Sequence, residues 1–267
     1  MRLIVLGSGM DASQISGIPN RFPPGFLLEW GSERLLLECP EAVRFRLEDV
    51  GVDYASIKYL VISHSHPDHY ALPQYLQSVW NKFYLTGKRY DNYSLQIYGP
   101  KTLTRRVVEL LGFYRPESKN FLPLTPPVLK SLPQNAPIII KGLKLSAKKV
   151  YHGSGLLDSL SYRFEYKNKI IAYSGDTGDC KNVYKISLNA DIFLCECSAR
   201  IGDEQSSKTT GHLNPKQAGE IAKKSQVKKL VLFHYSGLDS NSAITKDCRK
   251  SGYAGEIIVA QDFQVIE

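Results

Sequence analysis

Six consecutive residues, His64-Ser65-His66-Pro67-Asp68-His69, place four metal-binding side chains directly behind the apolar run Tyr59-Leu60-Val61-Ile62. A short apolar run of this kind reads as a buried strand, and a loop leaving its end can aim alternate side chains at two different ions. Imidazole and carboxylate together suit zinc and its neighbours. Three histidines and an aspartate crowded into one turn would repel one another once protonated and would add little as core. The spacing therefore reads as that of a two-metal hydrolase.

The chain holds six histidines, and the other three also stand in telling places. His152 follows a strand-like stretch at 143–150 and lies in Tyr-His-Gly-Ser-Gly; His234 follows the strand-like Leu230-Val231-Leu232-Phe233. An acidic partner, Asp176, sits in Tyr173-Ser174-Gly175-Asp176-Thr177-Gly178 behind a strand at 169–173, where glycines let the backbone turn tightly. Singly, each of these could be an ordinary loop residue. Together, at successive strand exits, they match the cluster at 64–69.

The order His-x-His-x-Asp-His, then His, then Ser-Gly-Asp-Thr, then His resembles the metallo-β-lactamase-fold hydrolases over nearly the whole chain. The resemblance implies one domain over residues 1–267 in a four-layer αββα fold of the α/β (α+β) class. Two mixed β-sheets would pack face to face with helices outside. It also implies two zinc ions, with manganese or iron able to take the same ligands. His64, His66 and His152 would hold one ion, Asp68, His69 and His234 the other, and Asp176 would bridge them. Leu6-Gly7-Ser8-Gly9, Leu194-Cys195-Glu196-Cys197-Ser198 and Gly211-His212-Leu213-Asn214 resemble the phosphodiesterase branch that includes ribonuclease Z. In that branch His212 would be catalytic rather than a ligand, with Glu196 as its partner and Asp68 orienting the nucleophile while binding metal.

Chemistry gives such residues work. Zinc lowers the pKa of a bound water to about 7, and a second ion can hold a phosphoryl oxygen. The leaving alkoxide still needs a proton, which His212 could supply, and a carboxylate at Glu196 would fix the imidazole tautomer and hold its pKa up. From the residues alone, Glu196 on an alternating strand at 192–197 could equally point to solvent. Cys195 and Cys197 would share the opposite face, and with no second cysteine pair at finger-like spacing they read as small buried hydrophobes.

Three departures from the ribonuclease Z pattern stand out, and the first bears on substrate. Only a tight hairpin, Tyr166-Lys167-Asn168-Lys169, separates the strands at 161–166 and 169–173, where many tRNA-processing members insert a long arm that grips tRNA. Glu38 and Pro40 stand where relatives often have Asp and Gly, and Pro67 interrupts the histidine cluster. The expected activity is a zinc phosphodiesterase acting on a cyclic nucleotide, a cyclic phosphate or an RNA-type phosphodiester. The alternatives are a same-fold hydrolase of a thioester, lactone or sulfate ester, then a tRNA 3′ processing endonuclease or a non-catalytic RNA-binding module.

A hydrophobic content of 43% over 267 residues supports a substantial core, and five cysteines give no disulfide framework. The opening run Met1-Arg2-Leu3-Ile4-Val5-Leu6 is too short for a signal peptide or a transmembrane helix, so a cytoplasmic enzyme without a membrane partner is expected. A net charge of +8 favours an anionic partner, but the basic residues are spread and do not select RNA over a small molecule. A homodimer stays open, since dimers are common in the family.

Apolar periodicity predicts strands at 2–6, 26–29, 34–38, 143–150, 161–166, 169–173, 192–197, 229–233 and 255–260. Helices are predicted at 41–50, 71–80, 102–111 and 215–224, the last opened by a proline and carrying His212 at its entry. Two segments read as irregular: 80–93, with interleaved aromatic and basic residues able to stack bases, and the proline-rich 114–137, a candidate lid.

Overall fold

In the computed structural model of the chain, residues 1–10, 21–87, 94–103, 128–133 and 136–267 are described. Six strands open the fold: β1 (Arg2–Gly7), β2 (Gly25–Trp30), β3 (Glu33–Leu37), β4 (Tyr59–Val61), β5 (Gln96–Gly99) and β6 (Val128–Ser131). Seven follow: β7 (Ile138–Ile140), β8 (Leu143–Val150), β9 (Ser159–Tyr166), β10 (Lys169–Tyr173), β11 (Ile192–Glu196), β12 (Lys229–Phe233) and β13 (Glu256–Val259). A last short strand, β14 (Val265–Ile266), returns to pair with β1.

The strands form two seven-stranded sheets, ordered β14-β1-β2-β3-β4-β5-β6 and β13-β12-β11-β10-β9-β8-β7. In the first, the pairs from β14 to β3 are antiparallel and those from β3 to β6 parallel. The second repeats the scheme, antiparallel from β7 to β10 and parallel from β10 to β13. Each half thus ends in a row of parallel strands, and the crevice outside their carboxyl ends is the usual place for a site in such sheets.

Three apolar clusters make the layers. Phe26, Leu28, Tyr98, Tyr162, Phe164, Tyr173 and Phe233 belong to the core between the sheets. A second core packs the outer face of the first sheet against α1 (Val43–Asp49) and α2 (Leu72–Thr86). The third packs the other sheet against α3 (Lys181–Ser187), α5 (Pro215–Lys224) and α6 (Asn241–Arg249); the single-turn α4 (Ser206–Thr209) lies beside the site. This is the expected αββα architecture. Strand alternation is clear in β11, where Ile192 and Leu194 face the inter-sheet core while Phe193 and Cys195 face the helices.

Local chemistry sets the helix that follows His212. Pro215 occupies the first turn of α5, the Asn214 side chain accepts from Gln217 N–H at 2.9 Å, and the Gln217 side chain accepts from Asn214 N–H at 3.0 Å. Such a capping box contributes about 1 kcal/mol and fixes where the helix starts. Ala218, Ile221 and Ala222 then bury one face.

Several expectations are corrected. Residues 80–86 are not irregular: α2 continues through them because Leu72, Leu76, Val79 and Phe83 keep a helical stripe, and it stops at Gly87, whose φ of 61° is left-handed. Residues 88–93 lie outside the described set, as do most of the predicted 102–111 helix and of the 114–137 segment. Within that segment β6 forms a sheet edge. Unforeseen elements are β5, β6, β7, β14, α3, α4 and α6. The hairpin between β9 and β10 is as short as expected, with Tyr166 and Lys169 paired across a two-residue turn in which Lys167 has φ 52°. No helix among the described residues is long and apolar enough to cross a membrane.

Candidate metal centre

The strand exits bring all seven expected ligands together. β4 releases the loop carrying His64, His66, Asp68 and His69; β8 ends just before His152, β10 before Asp176 and β12 before His234. His64, His66, His152 and Asp176 form one group of donors, and Asp68, His69 and His234 a second, with ligand atoms within 4.8 Å of one another in each. Asp176 reaches both. Its Oδ2 lies 3.8 Å from Nε2 of His64 and of His152 and 3.6 Å from His234 Nε2, while Oδ1 lies 3.3 Å from His69 Nε2. Between the groups' other members, His152 Nε2 is 3.1 Å from His66 Nδ1 and His234 Nε2 is 3.1 Å from Asp68 Oδ2.

The donor set fits metal ions. His64 Nε2, His69 Nε2 and Asp176 Oδ1 are buried without any hydrogen-bond partner. Orphaned polar atoms are expensive in a protein interior, and several converging on one space are what a cation would satisfy. Two of the rings have their second nitrogen tied back, as a ligand ring requires: His152 Nδ1–H donates to the Gly211 carbonyl at 3.1 Å, and His64 Nδ1 lies 2.9 Å from Ser63 Oγ. Burial, reinforced by the nearby His69, holds the His64 pKa well below its usual value, keeping the ring neutral and basic toward a metal. Burial opposes charge on Asp176, but His234, His69 and His64 overcome it and hold the carboxyl well below the usual range. Asp68, also opposed by burial, is brought to about 2 by its contacts with His234 and His69.

His212 stands beside this space with a different set of bonds. Its Nδ1–H donates to Glu196 Oε1 at 3.1 Å, and its ring lies 4.8 Å from that of His152 and 5.8 Å from that of His234. Glu196 is fully buried and does not point to solvent. It also accepts from the N–H groups of Thr177, Leu213 and Ser198 and from the Ser198 hydroxyl, so its position is fixed by five bonds. Burial alone would lower the His212 pKa; the charge and hydrogen bond of Glu196 outweigh it and raise the value to about 9. Asp176, His212 and His234 also fall within ligand range of one another, a grouping that shares two members with the sets above.

Glu38, noticed in the sequence only as a departure, has work here. It is fully buried with a left-handed φ of 66°, accepts from Ser63 N–H on both oxygens at 3.1 Å and sets Oε1 3.7 Å from His69 Nδ1. The carboxylate therefore lies behind the His69 ring, a placement that spacing alone did not disclose. Cys39, Cys195, Cys197 and Cys248 are buried, Cys180 is partly so, and all five are free thiols.

Residues 39–235 match the Beta-lactamase superfamily domain. The chain belongs to that superfamily. It is a metal-dependent hydrolase of the metallo-β-lactamase fold, and the curated relatives it is similar to are named ribonuclease Z. A ribonuclease Z of Ignicoccus hospitalis is 26% identical over 88% of this chain and 88% of its own length. Among solved structures, the metallo-β-lactamase fold protein YhfI from Bacillus subtilis superposes with a TM-score of 0.82 at 22% identity, covering 99% of this chain and 98% of that one. A diphosphatase from the PhnP family gives a TM-score of 0.74 at 19% identity over 100% and 97%.

Proposed function

We propose that this superfamily member is a dinuclear zinc phosphodiesterase acting on a small or cyclic phosphodiester rather than on precursor tRNA. His64, His66 and His152 would hold one ion and Asp68, His69 and His234 the other, with Asp176 shared; manganese or iron suits the same donors. Bound there, the ions would supply Lewis acidity toward a phosphoryl group and a water nucleophile at neutral pH.

The observation that carries the reading is the His212 and Glu196 pair beside the ligands. Breaking a phosphodiester releases an alkoxide, a poor leaving group unless it is protonated as the bond breaks. Glu196 accepts a hydrogen bond from His212 Nδ1–H, which leaves Nε2–H as the donor toward the space lined by Asp176 and His234. A pKa of about 9 keeps that proton in place at neutral pH. Asp68, ionised at any physiological pH, can accept a hydrogen bond from the attacking water and orient it.

Substrate size follows from the hairpin between β9 and β10. The Lys167-Asn168 turn offers no arm to hold a tRNA body, which supports a small substrate. Sheet-to-sheet packing in one shared core supports treating residues 1–267 as one domain, and five free thiols suit a reducing compartment such as the cytoplasm.

Steady-state hydrolysis of bis-p-nitrophenyl phosphate, 2′,3′-cyclic nucleotides, precursor tRNA and a panel of thioester, lactone and sulfate ester, on zinc- and manganese-loaded protein, tests the proposal. Turnover of the diesters with slow cleavage of precursor tRNA is expected. Rapid single-site tRNA cleavage would overturn the substrate class, and ester or thioester turnover with none on diesters would overturn the reaction.

A further inference from the structure

His234 is the ligand candidate with the least help from its own strand. It follows Phe233, the last residue of β12, with a φ of 58°, a left-handed conformation that a bulky side chain keeps only where its surroundings enforce it. The enforcement comes from outside the second sheet. His234 N–H donates to the Ser8 carbonyl at 2.8 Å, and Gly9 bridges to Tyr235, so the turn after β1 clamps the residue on both sides.

That turn is itself held by one carboxylate at the other end of the chain. Asp262 Oδ1 accepts from Ser8 N–H at 3.0 Å and from Ser8 Oγ at 2.8 Å; Oδ2 accepts from Phe22 N–H at 3.0 Å and from Arg46 Nη2 at 3.0 Å. Arg46 adds a bond from Nε to the Leu6 carbonyl at 2.9 Å, and Arg21 Nη1 donates to Ser8 Oγ at 2.9 Å while its guanidinium lies 4.3 Å from the Tyr235 ring centroid. Ser8 is fully buried and both arginines are nearly so. Within this cluster Asp262 is the acceptor on which the two ends of the chain, β1 and the segment after β13, converge.

We propose that Asp262 is a positioning residue for the metal centre: through Ser8 it locks His234 in its left-handed conformation and holds Nε2 toward Asp68 and Asp176. It touches no ligand and no reacting atom. The inference rests on His234 being a metal ligand, as the proposed function assigns. Without Asp262 the Ser8 N–H loses its acceptor and the Ser8 hydroxyl keeps only its bond from Arg21, so the carbonyl that accepts from His234 N–H is less firmly fixed. Among the described residues the His64, His66 and His152 group has no bond into this cluster, so the effect should fall on one ion and spare the other.

The test is metal affinity per site, read by competition with a chromophoric chelator and by metal content per chain, alongside thermal melting. In D262N one of two equivalents should weaken by about 10- to 100-fold, the scale for loss of an outer partner, and the other should keep its affinity. D247N, which disturbs a buried carboxylate paired with Lys250 on α6, is the control for mere destabilisation and should leave both equivalents unchanged. If D262N does not fold, S8A removes the hydroxyl bonded to Asp262 and Arg21 and should weaken the same equivalent by about 10-fold or less. Two tight equivalents in D262N, or equal weakening of both, would overturn the proposal. H234A separates the failures: if it too keeps two tight equivalents, the ligand assignment is wrong, whereas loss of one in H234A and none in D262N removes only the positioning role.

Discussion

In the first sheet one strand exit carries nearly everything: β4 ends at Val61, and the loop behind it presents His64, His66, Asp68 and His69. In the second sheet β8, β10 and β12 are each followed by one such residue, His152, Asp176 and His234, and β11 closes on Glu196. A cluster in one loop takes its geometry from local backbone, so its members stay together if neighbouring strands shift. A set distributed over strands takes its geometry from register. Tyr173 is opposite Leu194, and Glu196 opposite Phe233, which lines the exits of β10, β11 and β12 along one edge. The second sheet therefore needs precise pairing and outside clamps where the first needs one loop.

The largest expected effect comes from the residue where the two modes of delivery meet. Asp176 contacts His64 and His152 through one oxygen and His69 through the other. Asp176→Ala should leave fewer than two metal equivalents per chain and lower diester turnover by more than about 10²-fold, beyond the loss of any single outer partner. Metal analysis after dialysis reads the outcome. Two retained equivalents would show that the halves bind independently and that Asp176 bridges nothing.

How much of this was legible in the sequence follows from the same contrast. The loop at 64–69 announced itself because its donors are adjacent, and the buried strands behind β3, β4, β11 and β12 showed as apolar runs. His152, Asp176 and His234 could be found only by noticing that each follows a strand, since nothing in their own neighbours marks them. The role of Glu38 and the anchoring of Ser8 by Asp262 were not legible at all, because both are contacts between residues far apart in the chain. Short edge strands such as β7 and β14 carry too few residues to show a period. Two misses did have a signal: Ser240, which caps α6 by accepting from Ala243 N–H, stands before Ile244 and Cys248 at helical spacing, and the stripe from Leu72 to Phe83 ran past Trp80.

A smaller effect should follow from removing the residue that belongs to the distributed set but not to the ligands. His212→Ala should keep both metal equivalents and lower diester turnover by about 10²- to 10⁴-fold, the contribution of a positioned general acid. The loss should shrink for a substrate with a very acidic leaving group, which leaves without a proton. Loss of metal instead would place His212 among the ligands, with Asp176 and His234 as its neighbours, and would give the second sheet as many donors as the first.

The mildest change is one of pH. With Glu196 in place, burial would lower the His212 pKa but the carboxylate's charge and hydrogen bond raise it to about 9. As a general acid His212 works while protonated, so turnover falls as pH rises through its pKa, and the alkaline limb of the profile reports that value. Glu196→Gln keeps an oxygen for the Nδ1–H bond and removes the charge. The limb should therefore move to lower pH, toward the usual histidine range near about 6.5, with activity below that limb less affected and the metal content unchanged. Glu196 also accepts the N–H groups of Thr177 and Leu213, one beside Asp176 and one beside His212, so a structural effect would lower activity at every pH alike. A limb that stays where it was would mean that the charge at the end of β11 does not set the proton affinity of His212, and that register alone is what this strand contributes.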